Sequence, residues 1–197
     1  MIAAIVLAAG QSLRMGRPKM VLPWGNTTVI GHVVSTLLEG GVDNVVVVTG
    51  GARAEVETAL SGLSVCLVFN PSYAETEMLD SFKAGLLALG PAVDATLVAL
   101  GDQPQMQVQV VQEVIDTYQQ GGFPVVVPSY QNKRGHPWLL ERTLWAGVIG
   151  LSHPASMRDF LKVHAGDIHY LLVDTPTVLQ DLDTPQDYER YQLKGDE

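Results

Sequence analysis

Short apolar runs alternate with amphipathic segments along most of the chain. Five runs are mostly β-branched or leucine-rich and lack strict alternation, which is typical of strands covered on both faces of a sheet. These runs are Ile2–Leu7, Asn44–Val48, Val65–Phe69, Ala95–Leu100 and Val125–Val127. Between them, apolar residues recur at helical spacing over 29–38, 78–89 and 110–118. Strands that alternate with helices predict right-handed βαβ units and a mostly parallel sheet.

The C-terminal part of the chain follows a different pattern. Residues 168–182 predict a strand with turns, and Pro185–Leu193 predicts a helix with Thr184 near its cap. We find no internal repeat, low-complexity tract or linker in the 197 residues. The sequence therefore predicts a single α/β domain over 1–197.

Composition excludes several classes of protein. The net charge of −9 argues against a protein that coats nucleic acid, and no apolar run approaches the roughly 18 residues that span a membrane. Residues 1–9 are apolar, but no basic residue precedes them, so we interpret them as a buried first strand and not as a signal peptide. A lone cysteine, Cys66, excludes an internal disulfide and fits a cytoplasmic protein.

The loop after the first predicted strand is suited to an anionic ligand. In parallel sheets, ligands bind beyond the carboxyl ends of the strands. Residues 8–10 are small, which lets a ligand approach their N–H groups. Arg14, Arg17 and Lys19 then place three of the chain's 12 cations within six residues. The loop is neither a Walker A loop nor a GxGxxG fingerprint, and a solvated loop with scattered cations is the alternative.

Carboxylates follow two other predicted elements. Asp102 leaves the strand that ends at Leu100, and Asp is a hard oxygen ligand suited to Mg²⁺, although an ordinary turn would also explain it. Asp181 and Asp183 precede the last predicted helix, and strand alternation would direct both to the same side. Either can instead cap that helix, and Asp183 is well placed to do so.

The loop over 7–19 resembles the LAAGxSxRMGxxK signature of the MobA-like nucleotidyltransferases, in particular their molybdenum cofactor cytidylyltransferase branch. The small residues together with Ser12, Arg14, Met15, Gly16 and Lys19 all match. The resemblance implies a Rossmann-like three-layer α/β/α fold with a mostly parallel sheet, like that of nucleotide-diphospho-sugar transferases.

The resemblance also implies roles for individual residues. Arg14 would hold the triphosphate tail, Lys19 the reacting α-phosphate, and Asp102 a Mg²⁺ ion, which makes these three the catalytic candidates. For the second metal ligand we choose Asp183, with Asp181 as the weaker candidate. The candidate nucleotide-binding residues are Leu7, Ala8, Ala9, Gly10, Ser12, Arg14, Gly16, Lys19, Thr49, Asn70 and Gly101. An Asn-Pro turn is the alternative interpretation of Asn70.

Acceptor-binding candidates come from weaker matches. Gly135 and His136 lie in a segment that resembles the family's GHP segment, Ser81 matches a serine near the second substrate, and 154–163 resembles the family's "MR" helix. Residues 76–81 read Thr-Glu-Met-Leu-Asp-Ser, whereas family members often have Gly-Met-Ser-Ser-like residues there. This departure concerns the acceptor more than the nucleotide.

The expected reaction is transfer of CMP from CTP to the terminal phosphate of molybdopterin, with Mg²⁺ as cofactor and pyrophosphate as the leaving group. Ala9 favours CTP because the family's guanylyl branch has glycine there. GTP-dependent guanylyl transfer and nucleotidyl transfer to a sugar phosphate are alternatives, and a non-catalytic nucleotide or cofactor carrier is an alternative of another class. The resemblance further suggests a partner protein in molybdenum-enzyme maturation. No nucleic-acid or membrane partner is expected.

Overall fold

A computed structural model describes residues 1–74 and 78–192. Ten strands lie within this part of the chain: β1 (Ile2–Ala8), β2 (Pro23–Trp24), β3 (Thr27–Thr28), β4 (Asn44–Thr49), β5 (Cys66–Phe69), β6 (Ala95–Leu100), β7 (Val125–Tyr130), β8 (Lys133–Arg134), β9 (Trp138–Glu141) and β10 (Ile168–Leu172). Seven α-helices lie there too: α1 (Val29–Glu39), α2 (Arg53–Ala59), α3 (Met78–Ala88), α4 (Val108–Gly121), α5 (Trp145–Gly150), α6 (Met157–Val163) and α7 (Pro185–Gln192). Of the helix predicted over 185–193, Leu193 lies outside the described residues.

The main sheet has the strand order β10-β7-β9-β6-β1-β4-β5, with β8 paired to β7. The pairs of β1 with β4 and β6, of β4 with β5, and of β7 with β10 are parallel. The prediction of a mostly parallel α/β sheet is therefore confirmed. Strand β9 was not predicted, and it runs antiparallel between β6 and β7. Its four residues are too few for a periodicity signal, and both of its partner strands precede it in the chain.

Helices cover both faces of the sheet and form the outer layers of a three-layer fold. Alternate β1 residues point to opposite faces: Ala4 and Val6 pack in a core with α1, α2 and α4, whereas Ala3 and Ile5 pack in a second core with α3, α5 and α6. The first helix starts where the Thr28 hydroxyl accepts a hydrogen bond from the Gly31 N–H.

The edge strand β5 corrects one expectation. The run 65–69 was expected to be covered on both faces, but β5 lies at the end of the sheet, and Leu67 and Phe69 are 39% and 38% exposed. An apolar run of this length does not reveal whether its strand is central or at an edge. In the part of the chain that the structure describes, no helix is long and apolar enough to cross a membrane.

Candidate active site

The loops that carry the candidate residues meet at one edge of the sheet. Parallel pairing places Ala8 opposite Thr49, and Leu7 opposite Leu100, so β1, β4 and β6 end at nearly the same level. Backbone hydrogen bonds join the loops beyond these ends, since the Gly101 N–H donates to the Leu7 carbonyl at 3.0 Å. Residues that are far apart in the chain therefore converge here.

Two carboxylates and two cations form one connected cluster at this edge. The ammonium Nζ of Lys19 lies 2.5 Å from Asp102 Oδ2 and 3.3 Å from Asp183 Oδ1. The Arg14 guanidinium lies 2.9 Å from Asp183 Oδ2. Lys19 is buried, whereas the Arg14 side chain is 70% exposed. The structure thus brings together all four charged residues that the sequence assigned to phosphate and metal binding.

The conformation of the cationic loop fixes Lys19. Ser12 and Gly16 adopt left-handed backbone conformations, with φ of 52° and 66°, on either side of the 3₁₀ helix Leu13–Met15. The Ser12 hydroxyl accepts a hydrogen bond from the Lys19 N–H at 3.2 Å, which closes the loop on itself. Lys19 then begins a second 3₁₀ helix, Lys19–Val21. Ser12 and Gly16 therefore determine the conformation of the loop through their own backbone angles and the side-chain contact of Ser12.

A separate apolar cluster holds the cationic loop against the C-terminal acidic segment. Its buried members are Met15, Leu22, Trp24, Val29, Leu182 and Tyr188. Leu182 is fully buried, and its N–H donates to the Asp102 carbonyl at 2.9 Å. Burial of a leucine side chain contributes roughly 1.5–3 kcal/mol to stability. The cluster therefore stabilises the arrangement in which Lys19 contacts Asp183.

Thr184, and not Asp183, caps the last helix. The Thr184 hydroxyl accepts a hydrogen bond from the Asp187 N–H at 3.2 Å, and Asp187 Oδ2 accepts one from the Thr184 N–H at 2.9 Å. These reciprocal bonds form a capping box and lower the pKa of Asp187, with the Thr184 hydroxyl as the main cause. The alternative role of Asp183 as a cap is therefore wrong, and its carboxylate contacts the two cations instead.

Asp181 has a different partner from Asp183. Its Oδ1 accepts a hydrogen bond from Gln103 Nε2 at 2.7 Å. Partial burial raises the pKa of Asp181; the Gln103 bond opposes this rise, and the charges of Asp102 and Asp183 add to it. Asp181 is thus a third carboxylate beside the cluster, held by an amide and not by a cation.

A cavity of about 290 Å³ opens beside the cluster. It is lined by Leu7, Ala9, Gly10, Lys19, Met20, Tyr73, Met78, Ser81, Leu100, Asp102 and Asp181. We call it the charged cavity. It joins small residues of the first loop to the Lys19–Asp102 pair, an arrangement suited to a ligand that carries both phosphates and a divalent cation.

A second cavity, of about 280 Å³, lies next to the first and shares Leu7 and Met78 with it. Its other lining residues are Phe82, Val98, Val127, Arg134, Gly135, His136, Trp138, Met157, Arg158 and Leu161. We call it the apolar cavity. Burial lowers the pKa of His136 to about 4, so this ring is neutral near pH 7. Gly135 packs so closely on Val178 that a Cβ would lie 2.6 Å from its side chain.

Two candidate nucleotide-binding residues, Thr49 and Asn70, have partners within the fold. The Thr49 side chain is fully buried, and its hydroxyl donates to the Val68 carbonyl at 3.3 Å, which ties β4 to β5. Asn70 is buried; its Nδ2 donates to the Ser81 hydroxyl at 3.1 Å, and its Oδ1 accepts from the Ser72 N–H. Asn70 therefore supports Ser81 in the wall of the charged cavity, in addition to opening a turn.

Small residues in the loop after β4 allow close packing that sequence reasoning did not resolve. A Cβ on Gly50 would lie 2.3 Å from the Ala9 carbonyl oxygen and 2.7 Å from Tyr73 Cβ. Tyr73, which lines the charged cavity, was not predicted as a site residue, and neither was Gln103. The two consecutive glycines at 50 and 51 indicate that another part of the chain packs closely on this loop, but they do not indicate that the side chain involved is that of Tyr73.

The segment that departs from the family pattern lies partly outside the described residues, since Thr76 and Glu77 fall there. Asp80 lies in the first turn of α3, where a negative charge is favourable. Ser81 is buried.

The protein ligands for a metal are few. In residues 1–74 and 78–192, no group of three or more His, Cys, Asp or Glu side chains is arranged to hold a metal ion. Asp102 and Asp183 nevertheless contact one ammonium, and hard carboxylate oxygens around a common cation also suit Mg²⁺ or Mn²⁺.

The chain is similar in sequence to known nucleotidyltransferases. The family model for the MobA-like NTP transferase domain matches residues 4–169. The molybdenum cofactor cytidylyltransferase of Escherichia coli K12 is 27% identical over 195 residues, which cover 96% of this chain and 97% of that protein.

Solved structures show the same fold. A nucleotidyl transferase from Methanothermobacter thermautotroptrophicus superposes with a TM-score of 0.83 at 27% identity, over 100% of this chain and 99% of its own. Rv0371c of Mycobacterium tuberculosis H37Rv, in complex with manganese, has a TM-score of 0.80 at 28% identity and covers 98% of both chains.

Proposed function

We propose a specific reaction for this chain, which belongs to the MobA-like NTP transferase family and is a nucleotidyltransferase. The reaction is transfer of the CMP moiety of CTP to the terminal phosphate of molybdopterin, with release of pyrophosphate, by a single domain over 1–197. The observation that carries the proposal is the contact of Lys19 with both Asp102 and Asp183 at the edge of the charged cavity.

The charged cavity would receive the nucleotide. Lys19 and Arg14 supply positive charge for the phosphates, and Ala9 and Gly10 bring backbone close to the same space. Ala9 lines the cavity, and its methyl group would leave less room for a purine than for cytosine. One methyl group is worth only about 1–3 kcal/mol in discrimination, so we expect a preference for CTP over GTP and not strict exclusion.

Asp102 and Asp183 would hold a Mg²⁺ ion together with phosphate oxygens and water. Mg²⁺ commonly uses one or two carboxylates plus substrate phosphates, which fits a site with two carboxylates. When bound, the ion would neutralise part of the negative charge of the phosphates. The manganese complex of Rv0371c supports a divalent cation in a protein of this fold.

The apolar cavity would receive the body of the acceptor. Phe82 and Trp138 line this cavity and suit a planar ring such as a pterin. The neutral His136 can donate or accept one hydrogen bond there. Arg134 and Arg158 line the same cavity and suit an anionic acceptor. Because the two cavities share Leu7 and Met78, an acceptor seated there would direct its phosphate towards Lys19.

The chemistry needs positioning more than proton transfer. A terminal phosphate monoester is largely dianionic near pH 7, so its oxygen can attack the α-phosphorus without a general base. The new P–O bond forms as the bond to the pyrophosphate oxygen breaks. Lys19 would stabilise the negative charge that grows on the α-phosphate. Such a product fits a cytoplasmic enzyme that passes it to a maturation partner of a molybdenum enzyme.

The test measures pyrophosphate after the protein is incubated with Mg²⁺, one of CTP, GTP, ATP or UTP, and either molybdopterin or a set of sugar phosphates. We expect release with molybdopterin, fastest with CTP, and none when the acceptor is omitted. If GTP is the only nucleotide that supports release, the nucleotide substrate is GTP and not CTP. If release requires a sugar phosphate and does not occur with molybdopterin, the acceptor is the sugar phosphate. Nucleotide binding without release from any pair would favour a carrier and contradict the proposal.

A further inference from the structure

Two hydrogen bonds join the loop of Asp102 to the segment of Asp183. One is between main-chain groups, from the Leu182 N–H to the Asp102 carbonyl. The other is between side chains, from Gln103 Nε2 to Asp181 Oδ1 at 2.7 Å. They connect neighbouring residues on both segments, 102 and 103 with 181 and 182. A single bond would let one segment pivot about it, whereas two bonds fix the relative orientation.

The fold alone gives little reason for an amide at position 103. Gln103 is only 3% exposed, and its Oε1 has no hydrogen-bond partner among the described residues. A buried polar atom without a partner typically costs about 1–3 kcal/mol. Methionine would fill a similar volume without this cost. A locally unfavourable residue next to a site is the pattern expected where function sets the residue type.

Gln103 and Gln105 both place buried amide atoms between β6 and α4, and of these two side chains only Gln103 bonds to Asp181. Gln105 lies two residues further on, in a different cavity lined by Trp24 and His32, and neither of its amide atoms has a hydrogen-bond partner in the described chain. The loop therefore provides its own comparison, since one buried amide bonds to Asp181 and the other has no hydrogen-bond partner among the described residues.

We propose that Gln103 is a positioning residue that fastens Asp181, and through it the 181–183 segment, to the 101–104 loop so that Asp102 and Asp183 face one cation. This inference rests on the proposed function, because it assumes that these two carboxylates bind a divalent metal. Hydrogen bonds that orient metal ligands from behind typically change metal affinity by 10–100-fold.

The test is titration of the purified protein with Mn²⁺ alone, followed by electron paramagnetic resonance of the free ion. We expect Gln103→Met to raise the Kd for Mn²⁺ about 10–100-fold, and the matched control Gln105→Met to leave it unchanged. Thermal unfolding of both variants checks that the fold is retained. A double-mutant cycle with Asp181→Ala tests whether Gln103 acts through Asp181. If it does, Gln103→Met causes no further loss of Mn²⁺ affinity once the Asp181 carboxylate is absent.

Each outcome decides between the claims. If the wild type binds Mn²⁺ and Gln103→Met binds it equally well, or if the two substitutions have additive effects, the positioning role is wrong while the proposed function stands. If the wild type takes up no Mn²⁺, Asp102 and Asp183 form no metal site without the nucleotide and the inference about Gln103 is overturned, whereas the proposed function is decided by pyrophosphate release. Should Gln103→Met fail to fold, Gln103→Leu removes the same hydrogen bond, leaves the Asp181 carboxylate in place and must show the same loss of affinity.

Discussion

Lys19 and Asp102 lie 83 positions apart in the chain, and their side chains meet at 2.5 Å. Lys19 is buried in this contact, and Asp183 approaches the same ammonium from the C-terminal segment. A buried ammonium requires negatively charged partners, and Asp102 and Asp183 hold that of Lys19 between them. The pair therefore fixes the position of the group that would act on the α-phosphate.

Lys19→Met is expected to lower kcat by roughly 10²–10³-fold, as is typical for loss of one well-placed donor to a developing charge. The KM for CTP should change much less, because under the proposed function Arg14 and the loop backbone would still hold the triphosphate. Steady-state kinetics of pyrophosphate release measure both constants. Lys133→Met, an exposed lysine of β8, is the matched control and should behave like the wild type. An effect confined to KM would mean that Lys19 only binds.

Asp102→Asn is expected to abolish metal-dependent turnover without unfolding the protein. The substitution keeps the shape of the side chain and removes the charge that a divalent cation requires. The measurement is the rate of pyrophosphate release over a range of Mg²⁺ concentrations, with circular dichroism to check the fold. A near-normal rate at saturating Mg²⁺ would show that Asp102 is not a metal ligand.

Gly50→Ala is expected to lower the free energy of unfolding through overpacking beside the site, without changing any charged residue. The new Cβ would lie 2.3 Å from the Ala9 carbonyl, so the first loop or the β4 loop must shift. Overpacking of this kind typically costs about 1–3 kcal/mol. Chemical denaturation measures the free energy of unfolding, and Gly62→Ala, where a Cβ meets nothing within 4 Å, is the control. Equal stability of the two variants would contradict the close packing.

His136 is expected to make stability depend on pH. Its pKa is about 4 in the folded protein against 6.5 for an unperturbed histidine, so the unfolded chain takes up this proton first as the pH falls. Its contribution to stability is complete above about pH 6.5 and is lost between about pH 6.5 and 4, by up to about 3 kcal/mol. In His136→Gln, the free energy of unfolding should fall less between pH 7 and pH 4.5 than in the wild type. Identical slopes would show that the ring titrates normally.

Sequence analysis located those site residues that lie in short, continuous sequence motifs. Residues 7–19 form one loop after a buried strand, and Asp102 directly follows another strand of the same sheet. Because parallel strands present their carboxyl ends at one edge, the meeting of Lys19 with Asp102 follows from topology. The helix periods over 29–38 and 110–118 likewise predicted α1 and α4, although α4 extends further in both directions.

The rest depended on contacts that no local pattern contains. Strand β9 lies between β6 and β7 and pairs with both, and its own four residues carry no periodicity that predicts this position. Asn70 appears in sequence as a polar residue available to a ligand, yet its amide bonds to Ser81. Alternation does not separate Asp181 from Asp183, and Asp183 was chosen from the family resemblance. Their different partners, Gln103 and Lys19, come from distant segments.

The most direct test of nucleotidyl transfer follows the label from the nucleotide. The protein is incubated with Mg²⁺ and molybdopterin, and with CTP labelled with ³²P at either the α- or the γ-phosphate. The geometry around Lys19 and Asp102 predicts that the α-label moves to the acceptor, that the γ-label appears in pyrophosphate, and that Asp102→Asn stops both. Transfer of the γ-label to the acceptor, or retention of both labels in CTP, would contradict nucleotidyl transfer at this site.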